Sequence, residues 1–326
     1  MRTRRLSNGK LTITKQATFS ADSYNLCIAF RPTYKPQTLI MTLKPYSINC
    51  NGRLFALDKP QVMGIINVTP DSFYADSRKQ SDEAIAARAR QIVAEGGTMI
   101  DIGAYSSRPG ADEVSVEEEM ERLRHGLAIV NKEAPEAVVS VDTFRADVAK
   151  MCVEEYGVDI INDISGGMLD KHMFRTAAQL GVPYILMHMK GTPATMQLAP
   201  HYDHFMREVF LYFAERVDRL HDLGVKDIIL DPGFGFGKTL ENNYELMNKM
   251  GDFREFDLPI LVGISRKSMI YKLVGGTPAD ALGGTIALNT IALERGAHIL
   301  RVHDVKAAVE TVKIVEALQA TSANEE

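Results

Sequence analysis

Eight short runs of apolar, largely β-branched residues recur along this chain, and each is followed by an amphipathic stretch. The runs are Val62–Asn67, Met99–Gly103, Val138–Val141, Ile160–Asp163, Tyr184–His188, Ile228–Asp231, Ile260–Gly263 and Ile299–Val302. Most are apolar at both alternate positions, which predicts strands buried on both faces, as in a parallel sheet covered by helices. Run ends lie on average about 33 residues apart, the length of one strand–helix unit. Eight such units predict an α/β fold closed as a (β/α)8 TIM barrel. An open doubly wound sheet is the weaker alternative, because no Gly-rich dinucleotide turn follows the first run. A β-hairpin over Tyr46–Ala56, turning at Asn51-Gly52, is expected ahead of the barrel.

The intervening stretches carry helical spacing. Ile85, Ala89, Ile92 and Val93 define one apolar stripe, and Val305, Ala308, Val309, Val312 and Val315 define another. Ser115 and Glu118 read as a capping box. Residues 1–40 differ from the rest: seven Lys/Arg against one acid, and no sustained period. They read as a flexible N-terminal extension with no assigned role; an organelle transit peptide is the other reading. The same composition fits an upstream start codon read as the beginning of the chain, with Met41 the expected working start; the single barrel domain is expected over residues 41–326.

Composition narrows the function. A net charge of −5 argues against a general nucleic-acid binder. No apolar run approaches the roughly 20 residues that span a bilayer, so no membrane role is expected. Cys27, Cys50 and Cys152 are too scattered for a disulfide framework or a zinc site, which suits a reducing cytoplasm.

The apolar runs end in polar residues: Asn67, Asp101, Asp142, Asn162-Asp163, His188, Asp231, Ser265-Arg266-Lys267 and Arg301-Val302-His303. In a barrel these ends converge on the C-terminal rim, where such folds carry their chemistry. Turn and cap preferences account for some Asp and Asn, but not for Lys, Arg and two His at one level. Carboxylates suit a donor-rich planar ring, while Arg, His and Asn suit an anion with a hard cation. Asp231-Pro-Gly-Phe-Gly-Phe-Gly-Lys238 is not a phosphate loop, because Pro232 stands where that pattern needs Gly. Its expected role is a flexible turn that sets Phe236 at the rim for stacking. Polar loops follow the first two runs, and the second carries Arg108 beside Pro109 and Gly110, as a mobile anion-seeking loop would.

Asn67-Val-Thr-Pro-Asp-Ser-Phe73, Ser107-Arg-Pro-Gly110, Val141-Asp-Thr143, Ile161-Asn-Asp163, Asp231 to Lys238, Ser265-Arg-Lys-Ser268 and Arg301-Val-His-Asp304 occur in that order. From about Val62 to Leu318 the chain resembles the dihydropteroate synthases, the folate-pathway transferases inhibited by sulfonamides. That resemblance implies a homodimeric, cytoplasmic TIM-barrel enzyme. It would join 6-hydroxymethyl-7,8-dihydropterin diphosphate to p-aminobenzoate and release diphosphate, with Mg²⁺. It implies pterin contacts from Asp142, Asn162, Met187, Asp231, Lys267 and Arg301. Diphosphate contacts would come from Asn67, Arg108, Arg301 and His303, with Asn67 at the metal. The p-aminobenzoate pocket would use Phe73, Ser107, Arg108, Pro109, Phe236, Lys267 and Ser268. Asp142, Lys267, Arg301 and His303 would carry the catalysis. One departure stands out: the family's second loop reads Glu-Ser-Thr-Arg-Pro-Gly, whereas here Tyr105 replaces the Glu and Ser107 the Thr.

Three rivals share some of these features. A corrinoid-dependent methyltransferase domain would not need the Ser-Arg-Pro-Gly loop. A non-catalytic pterin-binding paralogue would tolerate Tyr105. A metallohydrolase built on His188 and His303 would need a metal-ligand spacing that the chain lacks.

Overall fold

The computed structural model describes residues 43–68, 75–105, 114–192, 195–196 and 200–322, without the side chains of 75–81 and 322. The predicted extension, residues 1–40, lies outside them.

A hairpin comes first, with β1 (Tyr46–Cys50) antiparallel to β2 (Arg53–Leu57). Asn51 and Gly52 connect them at φ values of 50° and 84°. Two successive positive φ angles are what a two-residue type I′ turn requires, and Asn-Gly meets that demand with little strain. Eight parallel strands follow: β3 (Gln61–Asn67), β4 (Met99–Gly103), β5 (Val138–Asp142), β6 (Ile160–Asp163), β7 (Tyr184–Met187), β8 (Ile228–Asp231), β9 (Leu261–Val262) and β10 (Ile299–Val302). They pair in sequence order, β10 returns to β3, and a bridge from Leu230 to Ile260 joins β8 to the start of β9. The predicted (β/α)8 barrel is therefore present. The seventh barrel strand, β9, is shorter than expected, because the chain leaves the sheet after Val262 to turn toward the mouth.

Between the strands run α1 (Ala75–Ala94), α2 (Val116–Glu133), α3 (Ala146–Tyr156), α4 (Met173–Leu180), α5 (Phe205–Asp222) and α6 (Leu240–Asn248). Then come α7 (Ser268–Val274), α8 (Leu282–Glu294) and α9 (Val305–Ser322). The expected apolar stripe of α1 holds for Ile85, Ala89 and Ile92, but Val93 is 42% exposed at the stripe's edge. The capping box on α2 is half formed. Ser115 Oγ accepts the Glu118 amide at 3.1 Å, while the Glu118 carboxylate turns instead to Arg122 one helical turn on.

Strand parity organises the interior. One residue from each barrel strand (Met63, Met99, Val138, Ile160, Ile185, Ile229, Leu261 and Ile299) joins Ile48, Cys50 and Leu57 of the hairpin in one apolar cluster. The hairpin thus plugs the N-terminal end of the barrel. Because side chains alternate faces along a strand, residues two further on point inward again, one layer higher. That layer holds Ile65, Asp101, Ser140, Asn162, Met187, Asp231, Gly263 and Arg301. The outward parity (Val62, Ile100, Val139, Ile161, Leu186, Leu230, Val262 and Leu300 among others) packs on the helices in a second, larger cluster.

The approach of α1 to β3 depends on a missing side chain. A Cβ at Gly64 would lie 2.5 Å from the side chain of Ile92, which is fully buried. We expect Gly64→Val to destabilise the fold by about 1–3 kcal/mol. Adding Ile92→Ala should recover part of that loss. Urea unfolding of both variants checks this, and an unshifted midpoint for Gly64→Val would disprove the close approach.

Candidate active site at the C-terminal mouth

The inward layer becomes polar at the C-terminal end, and its centre is a buried ion cluster. Arg301 on β10 donates from Nε to Asp101 Oδ2 at 2.6 Å and from a terminal nitrogen to Asp142 Oδ2 at 2.9 Å. Asn162 donates to the same Asp101 oxygen at 3.0 Å. Asp101 is fully buried on β4. Strand registers place it beside Ser140, and place Asp142 beside Asn162. Three neighbouring strands therefore hold one guanidinium in a fixed orientation. Burial works against the Arg301 charge, yet Asp101 and then Asp142 carry its pKa above the ordinary range. Desolvation raises the Asp142 carboxyl, with Arg301 opposing. Asp101 Oδ1 and Ser140 Oγ are buried without a partner among the described residues.

Asp231 and Lys267 form the opposite side. Asp231 Oδ1 accepts the Gly233 amide at 2.7 Å. Its carboxyl is raised by desolvation, against which Lys267 acts first. Lys267 donates to the Phe234 carbonyl, and its ammonium sits 4.5 Å from the centre of the Phe236 ring. Desolvation pushes its pKa down to about 8, with Asp231 opposing. Lys267 reaches the mouth because Arg266 turns away. Arg266 adopts a left-handed φ of 56° and locks its guanidinium on both Asp304 oxygens at 2.8 and 2.9 Å. The Ser-Arg-Lys-Ser motif thus divides into a structural arginine and a site lysine.

The apolar wall and the outer rim complete the mouth. Met187 is buried with Ile164, Met189 and Met196, against Phe144 and Phe236. Asn67 is exposed at the end of β3, and His303 is exposed beyond β10. The His303 Nδ1 lies 3.1 Å from Ser265 Oγ. Desolvation, then Arg301, lowers its pKa to about 4, so the ring is neutral near pH 7. Ser268 lines a cavity of about 170 Å³ beside Lys238, Thr239 and Lys272. The structure thus brings Asn67, Asp142, Asn162, Met187, Asp231, Phe236, Lys267, Ser268, Arg301 and His303 to one end of the barrel. Phe73, Ser107, Arg108 and Pro109 lie outside the described residues.

Two rim residues expected from the sequence face elsewhere. Asp163 and His188 have the outward parity. Asp163 accepts the Ser165 hydroxyl and the Gly167 amide at 2.7 Å each and the Tyr184 hydroxyl at 2.6 Å, so its oxygens are consumed inside the wall. His188 packs edge-on against Tyr212 at 4.7 Å. Conversely, Asp101 is a more central residue than its place as one rim acceptor among several suggested. The signal was a lone acid inside an otherwise apolar strand, Met99-Ile-Asp-Ile-Gly103.

Tyr105, where the resemblance leads one to expect Glu, makes aromatic contacts. Its ring meets Phe144 edge-on at 5.0 Å, and Arg145 lies 5.7 Å from its centre. Arg145 also donates to buried Glu119 at 2.6 Å and to the Val114 carbonyl at 2.7 Å. One arginine therefore touches both residues that flank 106–113.

Asp101→Asn would remove the carboxylate that accepts from Arg301 and Asn162 but leave Arg301 paired with Asp142, at a cost of roughly 1–3 kcal/mol. We expect Asp101→Asn to lower stability by about that amount, measured by urea unfolding at neutral pH. An unchanged midpoint would exclude Asp101 as the anchor of Arg301.

Comparison with known proteins agrees with this geometry. The family model described as "Pterin binding enzyme" matches residues 63–303. The dihydropteroate synthase of Escherichia coli strain K12 is 44% identical over 277 residues, covering 84% of this chain and 96% of that protein. The crystal structure of Yersinia pestis dihydropteroate synthase with a sulfonamide drug superposes with a TM-score of 0.75. It is 39% identical and covers 84% of this chain and all of that one. The Xanthomonas albilineans synthase with 4-aminobenzoic acid gives a TM-score of 0.77 at 37% identity, covering 85% of this chain and 99% of that one. With its parity-sorted polar layer and matches of this extent, the chain belongs to the pterin-binding enzyme family.

Proposed function

We propose that this protein is a dihydropteroate synthase, a transferase of folate biosynthesis. It condenses 6-hydroxymethyl-7,8-dihydropterin diphosphate with p-aminobenzoate to give 7,8-dihydropteroate and diphosphate. One observation carries the reading: Asp142, Asn162, Asp231, Lys267 and Arg301, far apart in sequence, share one mouth in a chain similar to such synthases over most of its length.

The ring site follows from donor and acceptor chemistry. Asp231 and Asn162 accept from the N–H groups of a donor-rich bicycle, and carboxylate bonds of this kind are among the stronger ones. Met187 supplies an apolar wall. Arg301, held flat by Asp101 and Asp142, covers the ring and extends toward the leaving group. Arg301, His303, Asn67 and Arg108 receive the diphosphate. Phe236, Lys267 and Ser268, with Phe73, Ser107, Arg108 and Pro109, form the p-aminobenzoate pocket.

Breaking the methylene carbon–oxygen bond sends its electron pair to diphosphate and leaves a cation delocalised into the ring. Asp142 in its ionised form stabilises that cation from within the barrel, where a fixed charge acts more strongly than in water. The arylamine nitrogen then attacks and loses a proton. An arylamine is neutral near pH 7, so no obligate general base and no covalent enzyme intermediate are required. Asn67 offers the oxygen donor that would hold Mg²⁺. No cluster of three acidic, His or Cys side chains able to hold a metal occurs among the described residues. Mg²⁺ supplies charge neutralisation for the departing diphosphate.

The assembly is a homodimer. Supporting this, Leu273 and Val274 on α7, Ile286 on α8 and Ile314 on α9 are exposed apolar side chains on the helical layer. The enzyme acts in the cytoplasm, a reading supported by the scatter of Cys27, Cys50 and Cys152, which suits a reducing compartment.

A coupled diphosphate assay, with and without p-aminobenzoate, tests the activity. Release that requires both substrates is expected; none would leave a non-catalytic pterin-binding paralogue. Asp231→Ala should weaken pterin binding by roughly 2–5 kcal/mol, read by calorimetry. Unchanged affinity would remove Asp231 from the ring site. Lys267 also predicts an alkaline limb. As pH rises through about 8 its ammonium loses a proton, and kcat/KM should fall. Lys267→Arg should move that limb up by more than about one pH unit, because Arg stays charged. A limb that does not move would assign it to another group.

A further inference from the structure

The alternating glycine run, Gly233-Phe-Gly-Phe-Gly-Lys238, is more than a flexible turn. Lys238 is 5% exposed, and its Nζ reaches four acceptors. These are His188 Nδ1 at 2.8 Å, and the carbonyls of Gly233 at 2.8 Å, Phe236 at 3.1 Å and His188 at 3.2 Å. An ammonium has three N–H groups, and this one spends all of them on the run and on His188 at the end of β7. Burial, and then the Lys238 charge, hold His188 far below its ordinary pKa, which makes its ring the neutral acceptor. Burial also opposes the Lys238 charge, and Asp231 supports it.

The loop around this ammonium is tied on every side. The Tyr202 hydroxyl donates to the Gly237 carbonyl at 2.7 Å. Asn243 Oδ1 accepts the Gly235 amide at 2.7 Å. A Cβ at Gly233 would lie 1.9 Å from the His188 carbonyl, and one at Gly237 would lie 2.3 Å from that of Lys190. Both positions also have left-handed φ angles, 70° and 59°. The run is thus pressed onto the end of β7 with the ammonium as its core. What the run then presents is the site itself: the Phe234 carbonyl holds Lys267, the Phe236 ring lies beneath Lys267, and the Gly233 amide holds Asp231.

We infer that Lys238 and His188 form a buried positioning pair that sets the shape of the p-aminobenzoate pocket through Phe236 and Lys267, without touching substrate. The inference rests on the synthase reading for its substrate and on the loop geometry for its mechanism. Neither residue is a catalytic group.

Two substitutions separate positioning from mere stability. Lys238→Met keeps length and removes the donors. Loss of several ionic hydrogen bonds predicts a rise in the KM for p-aminobenzoate of about tenfold or more, with kcat reduced less than about threefold. His188→Leu should act in the same direction, while His188→Gln, which keeps an acceptor, should restore at least about half of that loss on a logarithmic scale. Hydrogen exchange of the amides of 233–238 gives a readout independent of activity. Lys238→Met should speed it by about tenfold or more, while the barrel strands keep their protection. If Lys238→Met does not fold, the His188 pair decides. Equal KM values for His188→Leu and His188→Gln would overturn the inference, as would unchanged exchange in either Lys238→Met or His188→Leu. If the wild-type protein releases no diphosphate, the synthase reading fails while the exchange result still judges the positioning pair.

Discussion

One guanidinium organises the mouth of this barrel. Arg301 is taken out of water between Asp101 and Asp142, and neither acid would be tolerated there alone. Each group makes the others affordable: the arginine offsets the carboxylates, and Asn162 occupies part of the remaining capacity of Asp101. Because the four side chains come from β4, β5, β6 and β10, the cluster couples distant parts of the barrel wall. A charged site built this way has little freedom to reorganise. That rigidity is what electrostatic stabilisation of a developing cation requires.

The barrel's two ends divide the work. The N-terminal end is dry, filled by one apolar residue per strand and sealed by the hairpin. That apolar layer and the larger sheet–helix core together offset the cost of buried charge in the upper layer. Two residues along each strand separate the two regimes. A single sequence step would turn a site carboxylate into a wall residue, and the chain uses both options. Asp142 and Asp231 face inward, whereas Asp163 is absorbed by Ser165, Gly167 and Tyr184.

Most of the fold was legible in the linear chain. The eight apolar runs, their spacing and the Asn-Gly turn all report local physics, namely which residues tolerate burial on both faces or a positive φ. The polar mouth was legible as well, because Asn67, Asp142, Asp231 and Arg301 interrupt apolar runs at or near their ends. The misassignments share one cause. Asp163 and His188 end strands just as the site residues do, and only their parity relative to Ile160 and Ile185 reveals that they point outward. Parity was available in the sequence, but its origin was not until the hairpin plug showed which residue of each strand lies in the lowest layer.

Sequence by itself determined the repeating strand–helix unit, the polar rim and the family resemblance, because those depend on composition and order along a single chain. Tertiary structure alone decided the partners: Arg301 with Asp101, 200 residues apart, and Lys238 with His188, 50 apart. The physical reason is that a hydrogen bond is set by atoms within about 3 Å, and barrel closure brings such atoms together irrespective of their separation along the chain.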